Sequence, residues 1–364
     1  MKLKRLGAPL AILAAAAISL TACASNEGST PSTTTAAPSN LSGTLNGIGS
    51  SAQGAAQTTW IAGFQQENPK VTVNYDPQGS GAGRTSFISG AADFAGSDAA
   101  LKDTELAGDF ALCAAGTKGI DLPVYISPIA IAYNVDGVKD LKLDAATIAG
   151  IFSGKITTWN DPKIAALNSG ATLPSDAITV VHRSDDSGTT QNFTEYLSAN
   201  APDVWTAPSG QTFPFQVGDA AKGTSGVADA TKNAKNSITY IDESGSAGLS
   251  IAQLKVGDNF EKISADGAAA VVAASPIASG REANDLAIQI NRKDTSKGAW
   301  PLVLVSYVIA CQEYQDSAKA DLVKGYVNYI VTEAAQKAAA EQAGSAPLST
   351  DLASKVTKAV ASIK

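Results

Sequence analysis

The stretch from residue 182 to residue 190, HRSDDSGTT, combines residue types that bind anions. It follows an apolar strand-like run and precedes a run with helical spacing of apolar residues. A helix N-terminus leaves backbone N–H groups without partners and carries a partial positive charge, while glycine lets an anion approach the backbone. Serine and threonine add hydroxyl donors. The stretch therefore predicts an oxyanion site, with contributions from Arg183, Ser187, Gly188 and Thr189 and with Asp185 holding the guanidinium group in position.

The same residues also have a purely structural interpretation. A capped helix after a tight turn needs no ligand. Arg183 could instead form a surface ion pair with Asp185 or Asp186. We interpret the neighbouring His182 as structural.

Two further strand-to-helix turns share this composition. LNGIGSSAQ at 45–53 precedes a helix-like run, and DPQGSGAG at 76–83 follows an alternating strand at 71–75 and precedes a helix that we expect to begin at Arg84. Any one turn could simply cap a helix. Three such turns in one chain favour an oxyanion site.

Asp98 is the acidic candidate. It lies in AADFAGSDAAL, where we predict a short strand at 92–95 and a bend at 96–97. A carboxylate beside a dianion repels it unless the two share a proton. The structural alternative is that Asp98 caps the following helix.

Composition excludes several other kinds of chemistry. The chain has one histidine and three cysteines, so a catalytic zinc site is not expected, and no cofactor or metal is predicted. The GxxxxGK[ST] spacing of nucleoside triphosphatases is missing, and so is a GxSxG serine elbow. An exported hydrolase therefore remains only an alternative to a binding protein.

The N-terminus predicts export and a lipid anchor. Three positive charges precede a short apolar run ending in Leu-Thr-Ala-Cys, so residues 1–22 resemble a lipoprotein signal with Cys23 as the lipidated residue. Residues 23–41 are rich in Ser, Thr and Pro and are predicted to be a disordered tether. Removing the signal subtracts three positive charges from −7 and leaves −10, which argues against nucleic-acid binding. In an exported protein, Cys113 and Cys311 most simply form a disulfide.

Short apolar runs alternate with helix-like runs, a pattern typical of α/β proteins. The most continuous apolar stretches outside the signal, 125–133 and 300–310, suit buried strands that cross between two lobes. We therefore expect lobe one at 42–126 plus 302–364 and lobe two at 127–301.

These stretches together resemble the phosphate-binding protein of the bacterial high-affinity phosphate ABC transporter. The segments that carry the resemblance are GIGSS, NYDPQGSGAG, DFAGSDAAL, IFSGKITTWNDPKIAALN, HRSDDSGTT and GAWPLVLVSY. The resemblance implies a two-lobed periplasmic-binding-protein-like α/β fold with a cleft and two crossover strands. It also implies that the chain is a monomer on the outer face of the cytoplasmic membrane that delivers phosphate to permease subunits.

The family's ligand contacts carry over residue by residue. The first lobe would supply the Ser51 hydroxyl, the Ala52 N–H, Ser80 and Asp98, and the second would supply Arg183, Ser187, the Gly188 N–H and Thr189. Many family members have Thr and Phe where this chain has Ser51 and Ala52, a difference that preserves the hydroxyl and the backbone contact. A receptor for sulfate, molybdate or another tetrahedral oxyanion is the alternative within the binding class, and a surface antigen or adhesion lipoprotein is a third.

Overall fold

The computed structural model describes residues 40–364, so the predicted signal, most of the predicted tether and Cys23 lie outside the described residues. The strands in this part of the chain are β1 (Gly43–Gly49), β2 (Val71–Asp76), β3 (Phe94–Ser97), β4 (Gly119–Asn134), β5 (Lys142–Leu143), β6 (Thr179–Arg183), β7 (Asp219–Ala221), β8 (Ser237–Asp242), β9 (Ser250–Ile251), β10 (Gln253–Val256), β11 (Asn259–Glu261) and β12 (Val303–Cys311). The helices are α1 (Gly54–Glu67), α2 (Ser80–Ile88), α3 (Asp103–Leu106), α4 (Ala145–Phe152), α5 (Pro162–Leu167), α6 (Gly188–Asn200), α7 (Gly223–Asn233), α8 (Ala265–Ala273), α9 (Ser317–Ile330), α10 (Glu333–Ala343) and α11 (Thr350–Ala361).

The long strand β4 connects the two halves of the main sheet. Strand order is β2-β1-β3-β12-β4-β8-β6-β7, with β9 also paired to β4, while β11, β10 and β5 form a separate small sheet. The first part of β4 pairs antiparallel with β12, and its last six residues pair antiparallel with β8. Nearly all of its side chains are buried, as expected for a strand covered on both faces. The prediction of buried strands in the two long apolar runs is therefore confirmed.

Each half of the main sheet contains parallel strands around a central member. In one half, β1 pairs parallel with both β2 and β3, and in the other, β6 pairs parallel with both β7 and β8. Parallel neighbours require crossover connections, which α1, α2 and α7 help to supply. The carboxyl ends of these strands are followed by the turns singled out in the sequence.

Two strand boundaries differ from the prediction because Gly49 and Gly96 allow close packing within strands and do not form turns. The stretch predicted as a turn from Leu45 is still strand as far as Gly49, where an added Cβ would lie 1.9 Å from the Gly96 carbonyl oxygen. The strand predicted at 92–95 runs instead over Phe94–Ser97. Gly96, predicted in a bend, lies within this strand because its missing side chain makes room for the Tyr75 hydroxyl.

The helix predicted to begin at Arg84 begins one turn earlier, at Ser80. Its N-cap residue is Gly79, with a φ of 105°, a conformation that favours glycine. The result is that Ser80 lies in the first turn of α2 with its backbone at the helix start. A helix N-terminus is thus present at this turn, as the sequence predicts.

The disulfide between Cys113 and Cys311 is present. Its Cα atoms are 5.2 Å apart, and it joins the loop before β4 to the last residue of β12.

Among the described residues, none of the helices has both the length and the apolar character needed to cross a bilayer.

Candidate anion-binding site

The loops after β2, β3 and β6 meet at one place in the fold. An added Cβ at Gly188 would lie 2.6 Å from both the Asp98 Cβ and the Ser80 hydroxyl oxygen. The Gly81 N–H donates to the Asp186 carbonyl at 3.0 Å. Glycine is needed at both positions because the two loops approach with no room for a side chain between them. The sequence-predicted residues Ser80, Asp98 and Gly188 are therefore neighbours.

Asp98 is the acceptor at the centre of this meeting point. Its side chain is 4% exposed. Oδ1 accepts hydrogen bonds from the Ser50 hydroxyl and, at 2.6 Å, from the Ser306 hydroxyl, while Oδ2 accepts from Thr189 at 3.3 Å. Burial raises the pKa of Asp98, and the hydroxyl donors and the charge of Arg183 only partly oppose that rise. A buried carboxyl group thus stands among donors.

Arg183 supplies the positive charge, and its guanidinium group is fixed by Asp185. Nε donates to Oδ1 at 2.7 Å and Nη2 donates to Oδ2 at 2.5 Å, while the Gly223 N–H donates to the same carboxylate at 3.0 Å. Burial opposes ionisation of Asp185, but the hydrogen bonds and charge of Arg183 outweigh it and lower its pKa. Arg183 is only 4% exposed, so this ion pair is not a surface pair. Its Nη1 makes no hydrogen bond to the described residues.

The start of α6 follows this ion pair in the chain and is held in place by three contacts. Ser187 caps the helix by accepting from the Thr190 N–H at 3.1 Å. The Thr190 hydroxyl lies 2.7 Å from the Tyr240 hydroxyl, and the Tyr240 ring stacks on Phe193 at 4.2 Å. The N–H groups of Gly188 and Thr189 have no acceptor among the residues described. They remain available to an anion.

Ser51 and Ala52 make contacts within the protein. The Ser51 hydroxyl oxygen accepts from the Thr224 N–H at 3.1 Å and lies 3.1 Å from the Thr224 hydroxyl. The Ala52 N–H donates to the Ser50 hydroxyl at 3.1 Å. Both residues belong to the loop after β1, which reaches Asp98 through Ser50.

Asn192, one turn into α6, links the loop that carries Asp98 to the start of α6 and to Arg292. Its amide nitrogen donates to the Asp98 carbonyl at 2.7 Å and to the Gly188 carbonyl at 2.9 Å. Its amide oxygen accepts from Arg292, whose other terminal nitrogen donates to the Val303 carbonyl at 2.5 Å. The loop that carries Asp98 is thereby connected through α6 to the beginning of β12.

Sequence reasoning missed Ser50, Ser306, Thr224 and Asn192. Ser306 had a usable signal, because it is a hydroxyl residue inside an otherwise apolar buried run, and buried polar groups need partners. Ser50 had none, since its neighbour Ser51 offers the same hydroxyl. His182 stacks on Phe213 at 4.1 Å, in agreement with its structural interpretation.

Comparisons with known proteins agree with this fold. The family model described as "PBP superfamily domain" matches residues 33–334. Phosphate-binding protein PstS3 of Mycobacterium bovis (strain BCG / Pasteur 1173P2) is 37% identical over 339 residues, which cover 90% of this chain and 90% of that protein. Phosphate-binding protein PstS 2 of Mycobacterium tuberculosis (strain ATCC 25618 / H37Rv) is 35% identical over 373 residues, with 100% of both chains covered.

Solved structures show the same fold. The periplasmic phosphate-binding protein PfluDING, solved with bound phosphate, matches with a TM-score of 0.70 and 24% identity over 86% of this chain and 93% of that one. A phosphate-binding protein from Stenotrophomonas maltophilia matches with a TM-score of 0.68 and 19% identity over 87% and 94%. The chain belongs to the PBP superfamily and, within it, to the family of PstS phosphate-binding proteins, which confirms the resemblance seen in the sequence.

Proposed function

We propose that this chain is an extracytoplasmic receptor that binds inorganic phosphate and delivers it to an ABC-type importer. The observation that carries the proposal is a buried acceptor, Asp98, facing the free N–H groups at the start of α6 and the buried cation Arg183. Relatives with phosphate-binding names over nearly the whole chain support it. The ligand contacts we propose are Ser51, Ala52, Ser80, Asp98, Arg183, Ser187, Gly188 and Thr189.

A carboxyl acceptor among donors suits phosphate in particular. Phosphate keeps at least one O–H at neutral pH, whereas sulfate has none. An ionised Asp98 accepts a hydrogen bond from that O–H, but against sulfate it would leave two like charges desolvated together, at a cost of several kcal/mol. Arsenate keeps an O–H and has nearly the same shape, so this mechanism rejects it poorly.

We propose that the site closes between two lobes, 42–126 plus 302–364 and 127–301. The partition is supported by β4, whose pairing changes from β12 to β8 near this boundary. It is also supported by hydrogen bonds that join the two sets of residues around the site, such as Arg84 Nη2 to Gln211 Oε1 at 2.9 Å. Closure of the cleft on the ligand would then complete the site. Lipidation of Cys23, a tether over 23–41 and a monomeric state belong to the same proposal.

We propose that the chain acts by binding and not by catalysis. Its one histidine, His182, stacks on Phe213 and its Nδ1 lies 3.0 Å from the Arg183 carbonyl oxygen, and it makes no hydrogen bond to a serine or a carboxylate among residues 40–364. Turnover of a chromogenic phosphate monoester by the purified protein would contradict this.

The test is calorimetric titration of the purified protein with phosphate, arsenate, sulfate and molybdate. We expect phosphate to bind more tightly than sulfate by orders of magnitude and arsenate to compete with phosphate. In Asp98→Asn, where the amide can donate, sulfate should gain relative to phosphate. Asp103→Asn, the same change at an exposed position nearby, is the control. Sulfate binding within about tenfold of phosphate, or unchanged selectivity in Asp98→Asn, would contradict the role of Asp98.

A further inference from the structure

A second buried carboxyl group lies two hydroxyl groups away from the proposed ligand. Asp242 is fully buried at the end of β8. Its Oδ1 accepts from the Thr224 hydroxyl at 3.2 Å, and Thr224 in turn is 3.1 Å from the Ser51 hydroxyl. Its Oδ2 accepts from Ser244 at 2.6 Å and from Tyr125 at 3.4 Å. Ser51, Thr224 and Asp242 therefore form a continuous chain of hydrogen bonds that ends at Ser51, one of the proposed ligand contacts.

The direction of the protons in this chain depends on Asp242. A carboxylate only accepts, so with Asp242 ionised the Thr224 hydroxyl donates to it, and Ser51 must donate its own proton to Thr224. Because Ser51 also accepts from the Thr224 N–H, it has one lone pair left for the ligand. With Asp242 protonated on Oδ1 and donating to the Thr224 hydroxyl, Thr224 in turn donates to Ser51. The Ser51 proton is then free to reach the ligand.

We propose that Thr224 and Asp242 decide whether Ser51 offers the bound anion a lone pair or a proton. This inference rests on the proposed function, in which Ser51 contacts phosphate. With Asp242 ionised the site has two acceptors, Asp98 and Ser51, and matches dihydrogen phosphate. With Asp242 protonated it has one acceptor and matches monohydrogen phosphate. In the first state a lone pair faces any anion without an O–H, which adds to the rejection of sulfate.

The surroundings of Asp242 place its change of protonation near neutral pH. Burial raises the pKa of Asp242 to about 7, with the Ser244 hydroxyl opposing the rise and the negative charge of Asp98 adding to it. The Tyr125 hydroxyl, from β4, is the other ionisable group in contact, and burial raises its pKa well above the ordinary value, so it stays neutral. The next residue, Glu243, packs instead against Gly344.

Sulfate is the probe, because unlike phosphate it does not titrate between about pH 5.5 and about pH 8.5. We would measure its dissociation constant by competition with phosphate in the parent and in Thr224→Val, which removes the hydroxyl but keeps the N–H bond to Ser51. The ratio of the two constants at each pH cancels the titration of Asp98, which both proteins share. Thr231→Val is the matched control, since Thr231 is buried on the same helix and its hydroxyl donates to the Val227 carbonyl at 2.8 Å, within that helix.

At the alkaline end we expect Thr224→Val to bind sulfate about tenfold more tightly than the parent, because Ser51 is free to donate. At the acidic end the difference should disappear. A ratio constant to within about twofold across the range, or one equal to that of Thr231→Val, would overturn the inference. If the parent binds phosphate but the ratio is flat, only this inference fails. If the parent binds neither anion, the proposed function fails with it.

Asp242→Asn is the second variant, for use if Thr224→Val does not fold. It removes the titrating group and keeps an oxygen that can accept from Thr224. We expect its sulfate affinity to change less with pH than that of the parent. Identical pH dependence in the two proteins would overturn the inference.

Discussion

At the scale of single residues, Arg183 is the buried cation that we propose contacts the ligand. Two of its nitrogens are bound by Asp185, and Nη1 has no partner among the described residues. A hydrogen bond to a charged group contributes about 1.5–3 kcal/mol. The side chain is therefore placed to bind an anion with one nitrogen while its charge is held in place by the other two.

We expect Arg183→Ala to weaken phosphate binding by about tenfold to a hundredfold, because the anion loses its cationic partner. Lys235→Ala is the control. Lys235 and its partner Asp136 are both exposed, so their ion pair contributes little. Isothermal calorimetry would measure both variants. A change below about threefold in Arg183→Ala would mean that the ion pair with Asp185 is only structural.

How much of the site the sequence predicts depends on how local its signal is. Arg183, Asp185 and Ser187 lie in one turn, so their types and order already predict a held guanidinium group and a helix cap. Ser50 reaches Asp98 from the loop after β1, and Ser306 reaches it from β12. Their convergence depends on strand pairing, which a single sequence without a family resemblance does not specify.

At the scale of elements, helix α6 holds the loop that carries Asp98, and also Arg292, through the side chain of Asn192. The amide of Asn192 satisfies the Asp98 carbonyl, and its oxygen is bound by Arg292. Removing this side chain would leave the buried Asp98 carbonyl without its donor, at a cost of about 1–3 kcal/mol, while Arg292 Nη2 keeps its bond to Glu195 at 2.9 Å.

We expect Asn192→Ala to raise the phosphate dissociation rate by about tenfold, because the loop with Asp98 is released from α6. Asn200→Ala is the matched control. Asn200 lies on the same helix, and its side chain donates to the Tyr196 carbonyl at 3.0 Å and to the Arg292 carbonyl at 2.8 Å, neither of which belongs to the proposed ligand contacts. Stopped-flow fluorescence would measure the rates. Equal rates in the two variants would refute the coupling.

The elements themselves were largely predictable, and their ends were not. The alternating run at β2 and the apolar runs at β4 and β12 were identified as strands because burial dictates their composition. The sequence predicts Gly49 in a turn and Gly96 in a bend. In the structure they lie in strands, because neighbouring groups approach too closely for a side chain. A glycine in the sequence does not by itself indicate whether it allows a turn or a close approach between neighbouring strands.

At the scale of the whole molecule, the titration of Asp242 links stability to pH. Its folded pKa of about 7 lies above the ordinary value, so between the two values the folded state holds a proton that the unfolded chain releases. The stabilisation is complete below the unfolded pKa. It is lost as the pH rises through the folded pKa.

We therefore expect the free energy of unfolding to fall as the pH rises from about 5 to about 8, and Asp242→Asn to reduce that slope. Urea unfolding across the range would measure it. Asp136→Asn, at an exposed ion pair, should leave the slope unchanged. A slope in Asp242→Asn equal to that of the parent would mean that other groups cause the pH dependence.

The disulfide is the second molecule-wide feature, joining cysteines 198 residues apart. The loop-entropy account gives about 5 kcal/mol for so long a loop as an upper figure. We expect the double variant Cys113→Ser, Cys311→Ser to lose about 2–5 kcal/mol of unfolding free energy. Phosphate affinity should stay within about twofold, because the bond lies away from Asp98. Unchanged stability on denaturant unfolding would refute the prediction.

The same bond closes residues 113–311 into a covalent ring. The ring includes all of α6 and the irregular segment at 201–218 that follows it. A protease that cuts the ring once opens it without releasing a fragment, since both cut ends stay attached through the cystine. Nicked molecules would migrate at full length on a non-reducing gel and as two pieces after reduction. In the extracytoplasmic receptor that we propose, one such cut would leave the two proposed lobes joined.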